Sequence, residues 1–334
     1  MRITKDTLLS IARETAEKTA RRNRDVVAIY LTGSLLTDSP LLGGTTDIDL
    51  VYVHATTPPL HREIIRLTDE VHLDIAHLGQ SAFVQPRGLR KQPWLGSQLS
   101  QQAKSLHDTN HWFEFVQSSA GALFMTPENI MARSRAFASE ARTLWSDLTE
   151  EPAESYTQSF CDYLQALELA ANSIAVLSGN PLAERRFIQQ FPERTLALGR
   201  PEFSADLLNL FFPDSLDPDK VSELMPDWKA AFLAAGKLDS APVRLSPLRL
   251  PYYEAAVTVL NKDNAAAAWW PMLRTWAKAA AVLPVDSAPA NAFIAAVDNL
   301  QLGSADMKDN LSALDGYLDA LEEFLDHWSE REGV

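Results

Sequence analysis

Val26-Val27-Ala28-Ile29-Tyr30-Leu31-Thr32-Gly33-Ser34, followed twelve residues later by Asp47-Ile48-Asp49-Leu50-Val51-Tyr52-Val53, decides how this chain is read. An apolar run ends on Gly-Ser, and a second apolar run opens with Asp-x-Asp. A Gly-Ser step at a strand end lets backbone N–H groups approach an anion with no Cβ in the way. Side chains alternate across a strand, so Asp47 and Asp49 share one face while Ile48, Leu50 and Tyr52 point into a core on the other. Two carboxylates on one face make a divalent-cation site. Each half of the pattern is common alone, a Gly-Ser turn as a strand terminator and an Asp-x-Asp as a solvated edge. Together they leave two acids interrupting an apolar strand, where unpaired charge is expensive to bury. Metal binding accounts for that pattern; ordinary packing does not.

Holding two metals about 3.5–4 Å apart for in-line displacement needs a third carboxylate. Val71-His72-Leu73-Asp74-Ile75-Ala76 supplies it. Leu73 and Ile75 form the core face and Asp74 lies on the opposite one with His72 and Ala76. Asp74 is the candidate third ligand and general base.

Gly33-Ser34, twelve residues, Asp47-x-Asp49 and then the isolated strand acid Asp74 resemble the DNA polymerase β-like nucleotidyltransferase superfamily, and within it the aminoglycoside adenylyltransferase branch. The resemblance covers roughly the first third of the chain as motif and, more weakly, the helix-rich remainder. It implies an α+β protein: a small mixed-sheet catalytic domain over residues 1–124 and an all-α bundle over 125–334 that binds substrate and closes the cleft. It further implies transfer of NMP, foremost AMP from ATP, to a hydroxyl of a small-molecule acceptor, an aminoglycoside-like cation among the candidates. Mg²⁺, as two ions, would sit on Asp47, Asp49 and Asp74, with Gly33, Ser34 and Thr46 on the nucleotide. In that branch a basic residue after a helix reaches back to the triphosphate, so Arg185 or Arg186 is the candidate phosphate clamp. A basic turn pairing with Glu184 or Glu193 is the plainer reading of the same pair. Many relatives carry a Gly a few residues past the Gly-Ser and a Ser before the first Asp. Here Leu35-Leu36-Thr37-Asp38 and Thr46 stand instead. Thr46 keeps the hydroxyl, while Leu35-Leu36 and Gly43-Gly44 imply a differently shaped loop, which bears on substrate class more than on metal binding. Two rivals are a regulatory, antitoxin-like relative acting through a protein partner and an enzyme that modifies a protein or RNA. The intact set of three acids speaks against the first.

Charge bears on the second. Residues 1–120 hold 13 Lys and Arg against 13 Asp and Glu, whereas residues 121–334 hold 17 against 31, the whole of the net −14. An acidic chain is a poor polyanion binder, so nucleic acid is disfavoured and a small or cationic acceptor gains, although an acidic surface also serves solubility. At 334 residues two domains are expected. Cys161 has no second cysteine to pair with, and among Phe160, Tyr163 and Leu164 it reads as an inert buried thiol in a reducing compartment. No apolar run approaches the roughly 20 residues that span a bilayer and no signal-peptide core is present, so a cytoplasmic protein is expected.

Residues 4–23 alternate as an amphipathic helix leading into the strand Val26 to Leu31. A short helix is expected over 60–68 after Pro58-Pro59, another over 98–106, and a last strand over 107–116. Thr126-Pro127-Glu128 starts a helix, with the domain boundary just before it. Downstream, Tyr163, Leu164, Leu167, Ala170, Ala171, Ile174 and Leu177 form an apolar stripe, closed by Gly179-Asn180-Pro181. Helices follow at 182–190, 203–211, 217–235, 252–261, 263–282, 288–300 and 307–329, punctuated by Pro213, Pro218, Pro242, Pro247 and Pro251. Glu168 interrupts the stripe, either as a group facing the acceptor hydroxyl or as a solvated acid at the stripe's edge. Trp269-Trp270 read as packing elements. His107 and His111 lack further ligands for zinc. No dinucleotide, P-loop or Gly-x-Ser-x-Gly motif is present.

Overall fold

The computed structural model describes residues 3–101, 103–150, 155–211 and 218–334. The chain divides into two compact units, Met1–Asn129 and Ile130–Val334, and its class is α+β.

The first unit is a five-stranded mixed sheet between helices. Its strands are β1 (Val26–Thr32), β2 (Thr46–His54), β3 (Arg62–Arg66), β4 (Val71–Gly79) and β5 (Lys104–Asp108), in the spatial order β3-β4-β2-β1-β5. Only β2 and β4 run parallel. Helix α1 (Lys5–Arg22) is started by the Thr4 side chain, which accepts from Thr7 N, and it buries Leu8, Ala12 and Ala16 one turn apart. These pack on Ile48, Leu50, Tyr52, Leu73 and Ile75, the core face read from alternation. The opposite face, with Tyr30, Val51 and Val53, is covered by Leu99 of α2 (Pro93–Gln101) and by Phe113, Val116 and Ala120 of α3 (Trp112–Gly121). Asp47 and Asp49 belong to that second face by period-2 alternation. The sheet is thus apolar on both sides, and a charge on it stands out.

Three expectations in this unit are corrected. Residues 60–68 form no helix; Arg62-Glu63-Ile64-Ile65-Arg66 pairs antiparallel with β4, Ile64 opposite Asp74. Five residues between Pro58-Pro59 and the next turn are too short for a stable helix, and adjacent β-branched residues favour the ladder. The helix expected over 98–106 begins and ends earlier, as α2, and the chain then passes into β5; Gln102 lies outside the described residues. The strand expected over 107–116 ends at Asp108, whose carboxylate accepts from Phe113 N at 2.8 Å and Glu114 N at 3.0 Å. That cap starts α3 inside what reads as an apolar strand.

The second unit is all helical among the described residues. It comprises α4 (Pro127–Glu150, opening at the unit boundary), α5 (Tyr156–Ala175), α6 (Phe187–Ala197), α7 (Glu202–Phe211), α8 (Pro218–Ala235), α9 (Leu250–Asp263), α10 (Ala265–Val282), α11 (Ala288–Asn299) and α12 (Met307–Glu332). The expected helix start at 217 and Pro213 lie outside the described residues. Helix α10 is the hub, packing against α5, α8, α9 and α11, with Trp269, Trp270 and Trp276 buried. The apolar stripe of α5 is buried as read, but the helix ends at Ala175, before Gly179. Asn172 turns the chain there, bonding both Leu182 N at 2.7 Å and Leu182 O at 3.0 Å. The helix expected over 182–190 is a 3₁₀ turn, Glu184–Arg186, leading into α6. Among the described residues no helix is long and apolar enough to cross a membrane.

Candidate metal centre

Register builds the centre. Parallel pairing of β2 with β4 sets Asp49 opposite Asp74 and Asp47 opposite His72, and antiparallel pairing with β1 sets Thr32 opposite Asp49. Gly33, the next residue, therefore lies against the Asp49 carboxylate. Its φ of 77° is left-handed, and a Cβ built on it would fall well inside contact distance of Asp49 Oδ2. Only glycine fits. One ligand oxygen each from Asp47, Asp49 and Asp74 lies within 4.8 Å of the others. Asp47 and Asp74 are 2 % exposed and Asp49 is half-buried. Like charges this close and this dry disfavour one another's ionisation unless a cation joins them. An all-oxygen carboxylate donor set suits a hard divalent ion such as Mg²⁺.

Two cationic or cationisable side chains already touch the cluster. Arg62 of β3 donates from Nε to Asp74 Oδ1 at 2.5 Å and from Nη2 to Oδ2 at 2.6 Å, a bidentate clamp. The buried His72 places Nδ1 3.9 Å from Asp47 Oδ1. The sequence placed His72 on the face of Asp74 but not Arg62, which lies in the segment read as a helix and reaches Asp74 only once β3 pairs with β4. Both Asp74 oxygens thus accept from Arg62, which fixes the position of the carboxylate in the cluster. Replacing Arg62 by Ala leaves the three acids with less compensation. Arg62→Ala is therefore expected to melt lower in EDTA and to gain more from Mg²⁺ than the parent does. Equal metal-induced shifts in melting temperature would show that the clamp does not compete for the cluster.

The hydroxyls of Ser34 and Thr46 both meet the loop between β1 and β2. Ser34 Oγ donates to Pro40 O at 3.2 Å and Thr46 Oγ1 to the same carbonyl at 3.0 Å. Both hydroxyls thereby tie the 33–45 connection to the ends of β1 and β2, which fixes where Gly33 stands.

No family model matches this chain, and no curated protein does.

The remaining expected site residues belong to the helical unit. Arg185 is buried, its guanidinium stacked over the Tyr252 ring at 3.3 Å from the centroid and bonded to Tyr252 O at 3.0 Å. Arg186 is half-buried, and burial together with the neighbouring Arg185 lowers its pKa. The pair is therefore not a solvated turn. Glu184 bonds Arg244 and has Arg249 Nη2 at 3.5 Å. Glu168 is not a solvated edge either: it accepts from Arg274 Nε at 3.1 Å and Nη2 at 2.5 Å. Arg244, Arg274 and Lys278, none of them singled out in the sequence, stand with these acids around a cavity. Cys161 is buried, and burial pushes its thiol up to about 11, so it stays protonated.

Proposed function

We propose that the chain is a Mg²⁺-dependent nucleotidyltransferase that moves NMP, foremost AMP from ATP, onto a hydroxyl of a small-molecule acceptor. The observation that carries this reading is the meeting of Asp47, Asp49 and Asp74 beside a glycine that admits no side chain. Asp47 and Asp49, with Asp74 beside them, would hold the cation. Bound there, Mg²⁺ would draw charge from the triphosphate oxygens and orient the α-phosphorus. The acceptor oxygen forms a bond to that phosphorus, the bond to the bridging oxygen breaks, and pyrophosphate leaves. The acceptor proton passes to a carboxylate of the cluster, and Asp49, the most exposed of the three, is the accessible one. Gly33 lets backbone come close to the phosphates, while Arg62 holds Asp74 in place. Positioning and charge neutralisation supply most of the rate in such reactions. The acidity of residues 121–334 favours a neutral or cationic acceptor over a nucleic acid.

The test is a titration of the protein with each of four NTPs, with and without Mg²⁺, followed by calorimetry. One NTP is expected to bind only with metal, and Asp47→Ala is expected to lose at least about tenfold in affinity, the scale of one charge-assisted contact. No metal-dependent binding of any NTP would overturn the reading.

A further inference from the structure

Residues 121–334 carry nearly twice as many acids as bases, yet cations concentrate on one cavity of the helical unit, about 100 Å³ in volume. That is several times the roughly 10–15 Å³ needed by one water. Helix α10 presents Trp270, Arg274 and Lys278 to it at successive i, i+4 positions. Helix α5 adds Glu168, and the 3₁₀ turns Glu184–Arg186 and Val243–Leu245 add Glu184 and Arg244.

Charge does not close around this cavity. Arg274 answers Glu168, and Arg244 answers Glu184, which the buried Arg249 also approaches. Lys278 is left over: among the described residues its Nζ has no hydrogen-bond or ion-pair partner. Burial, reinforced by Arg274 and Arg244, brings its pKa down to about 8. The Trp270 indole N–H, also on the wall, is buried without a partner among the described residues. Glu184 holds a left-handed φ of 49°, a backbone cost that persists only where surrounding contacts fix it. A desolvated cation beside two guanidinium groups loses free energy until an anion joins it.

We propose that this cavity binds a tetrahedral oxyanion, either phosphate or the phosphate group of an ester, held by Arg244, Arg274, Lys278 and the Trp270 indole. Two guanidinium groups, each already giving N–H donors to Glu168 or Glu184, and an ammonium point charge from different elements match four oxygens in a tetrahedron better than the two of a planar carboxylate. All the lining residues belong to the helical unit.

The experiment titrates the full chain with inorganic phosphate, against chloride and acetate at matched ionic strength, following calorimetry and melting. EDTA keeps the metal centre out of the readout. Phosphate is expected to bind saturably and to slow acetylation of Lys278, read by mass spectrometry. Lys278→Met is expected to weaken binding at least tenfold while melting at or above the parent, since it removes a charge that Glu168 and Glu184 only partly offset. The groups facing Lys278 are Arg274 on its own helix, Glu168 and the protonated Cys161 on α5, Glu184 and Arg244 on the turns, and Tyr253 on α9. Affinity should therefore fall as pH rises through 8, where Lys278 loses its proton while phosphate is already doubly charged. Phosphate no better than chloride, equal binding by Lys278→Met, or acetate matching phosphate would each overturn the proposal.

Discussion

Asp49→Ala is expected to lose at least about a thousandfold in the proposed nucleotidyl transfer, on the scale of removing charge stabilisation from a phosphoryl-transfer site, while melting at or above the parent. The two halves of this expectation have one cause. Asp49 sits opposite Asp74 in the β2–β4 ladder, in a cluster whose oxygens lie within 4.8 Å of one another. Removing it relieves like-charge repulsion when no cation is bound, so folding gains, and it deletes a ligand when one is bound, so function fails. Pyrophosphate release with an acceptor panel gives the rate, and melting curves in EDTA and in Mg²⁺ give the stability. A variant that turns over at the parent rate, or one that simply unfolds, contradicts this assignment. Asp49→Asn separates charge from shape: it should fail like the alanine variant if charge is what matters.

Gly33→Ala is expected to cost about 1–3 kcal/mol of stability through backbone strain alone, because φ at this position is 77°. A second cost follows from the direction of the new Cβ, which points into the Asp49 carboxylate. The carboxylate must move, so metal-dependent nucleotide binding should disappear along with stability. A double-mutant cycle divides the two effects. Placing Gly33→Ala in an Asp49→Ala background should recover the part of the loss that comes from overlap and leave the part that comes from φ. If Gly33→Ala melts with the parent and still binds Mg²⁺, the close approach of β1's end to Asp49 is not needed.

Much of the acidic cluster was legible because its signals are local. Period-2 alternation along residues 46–54 and 71–76 places Asp47, Asp49 and Asp74 on the face opposite Ile48, Leu50, Leu73 and Ile75, and the structure packs those four residues beneath α1. Helical periodicity and proline spacing in the same way located the elements from 203 to 332 to within a few residues. Local signals failed where short segments carried both codes. Arg62–Arg66 became a strand by pairing with β4, and Trp112–Gly121 became a helix because Asp108 caps it.

The sequence by itself determined the class of the fold, the strand face that carries the acids, and the glycine beside them, since backbone conformation and side-chain alternation are properties of neighbouring residues. Only the tertiary structure decided which charges meet: Arg62 on Asp74, Arg274 on Glu168, Arg185 on Tyr252, and Lys278 in no ion pair among the described residues. Those pairings join residues up to 106 positions apart. They follow from strand register and helix packing, because a buried charge takes the counterion that the assembled fold brings within reach, whatever its distance along the chain.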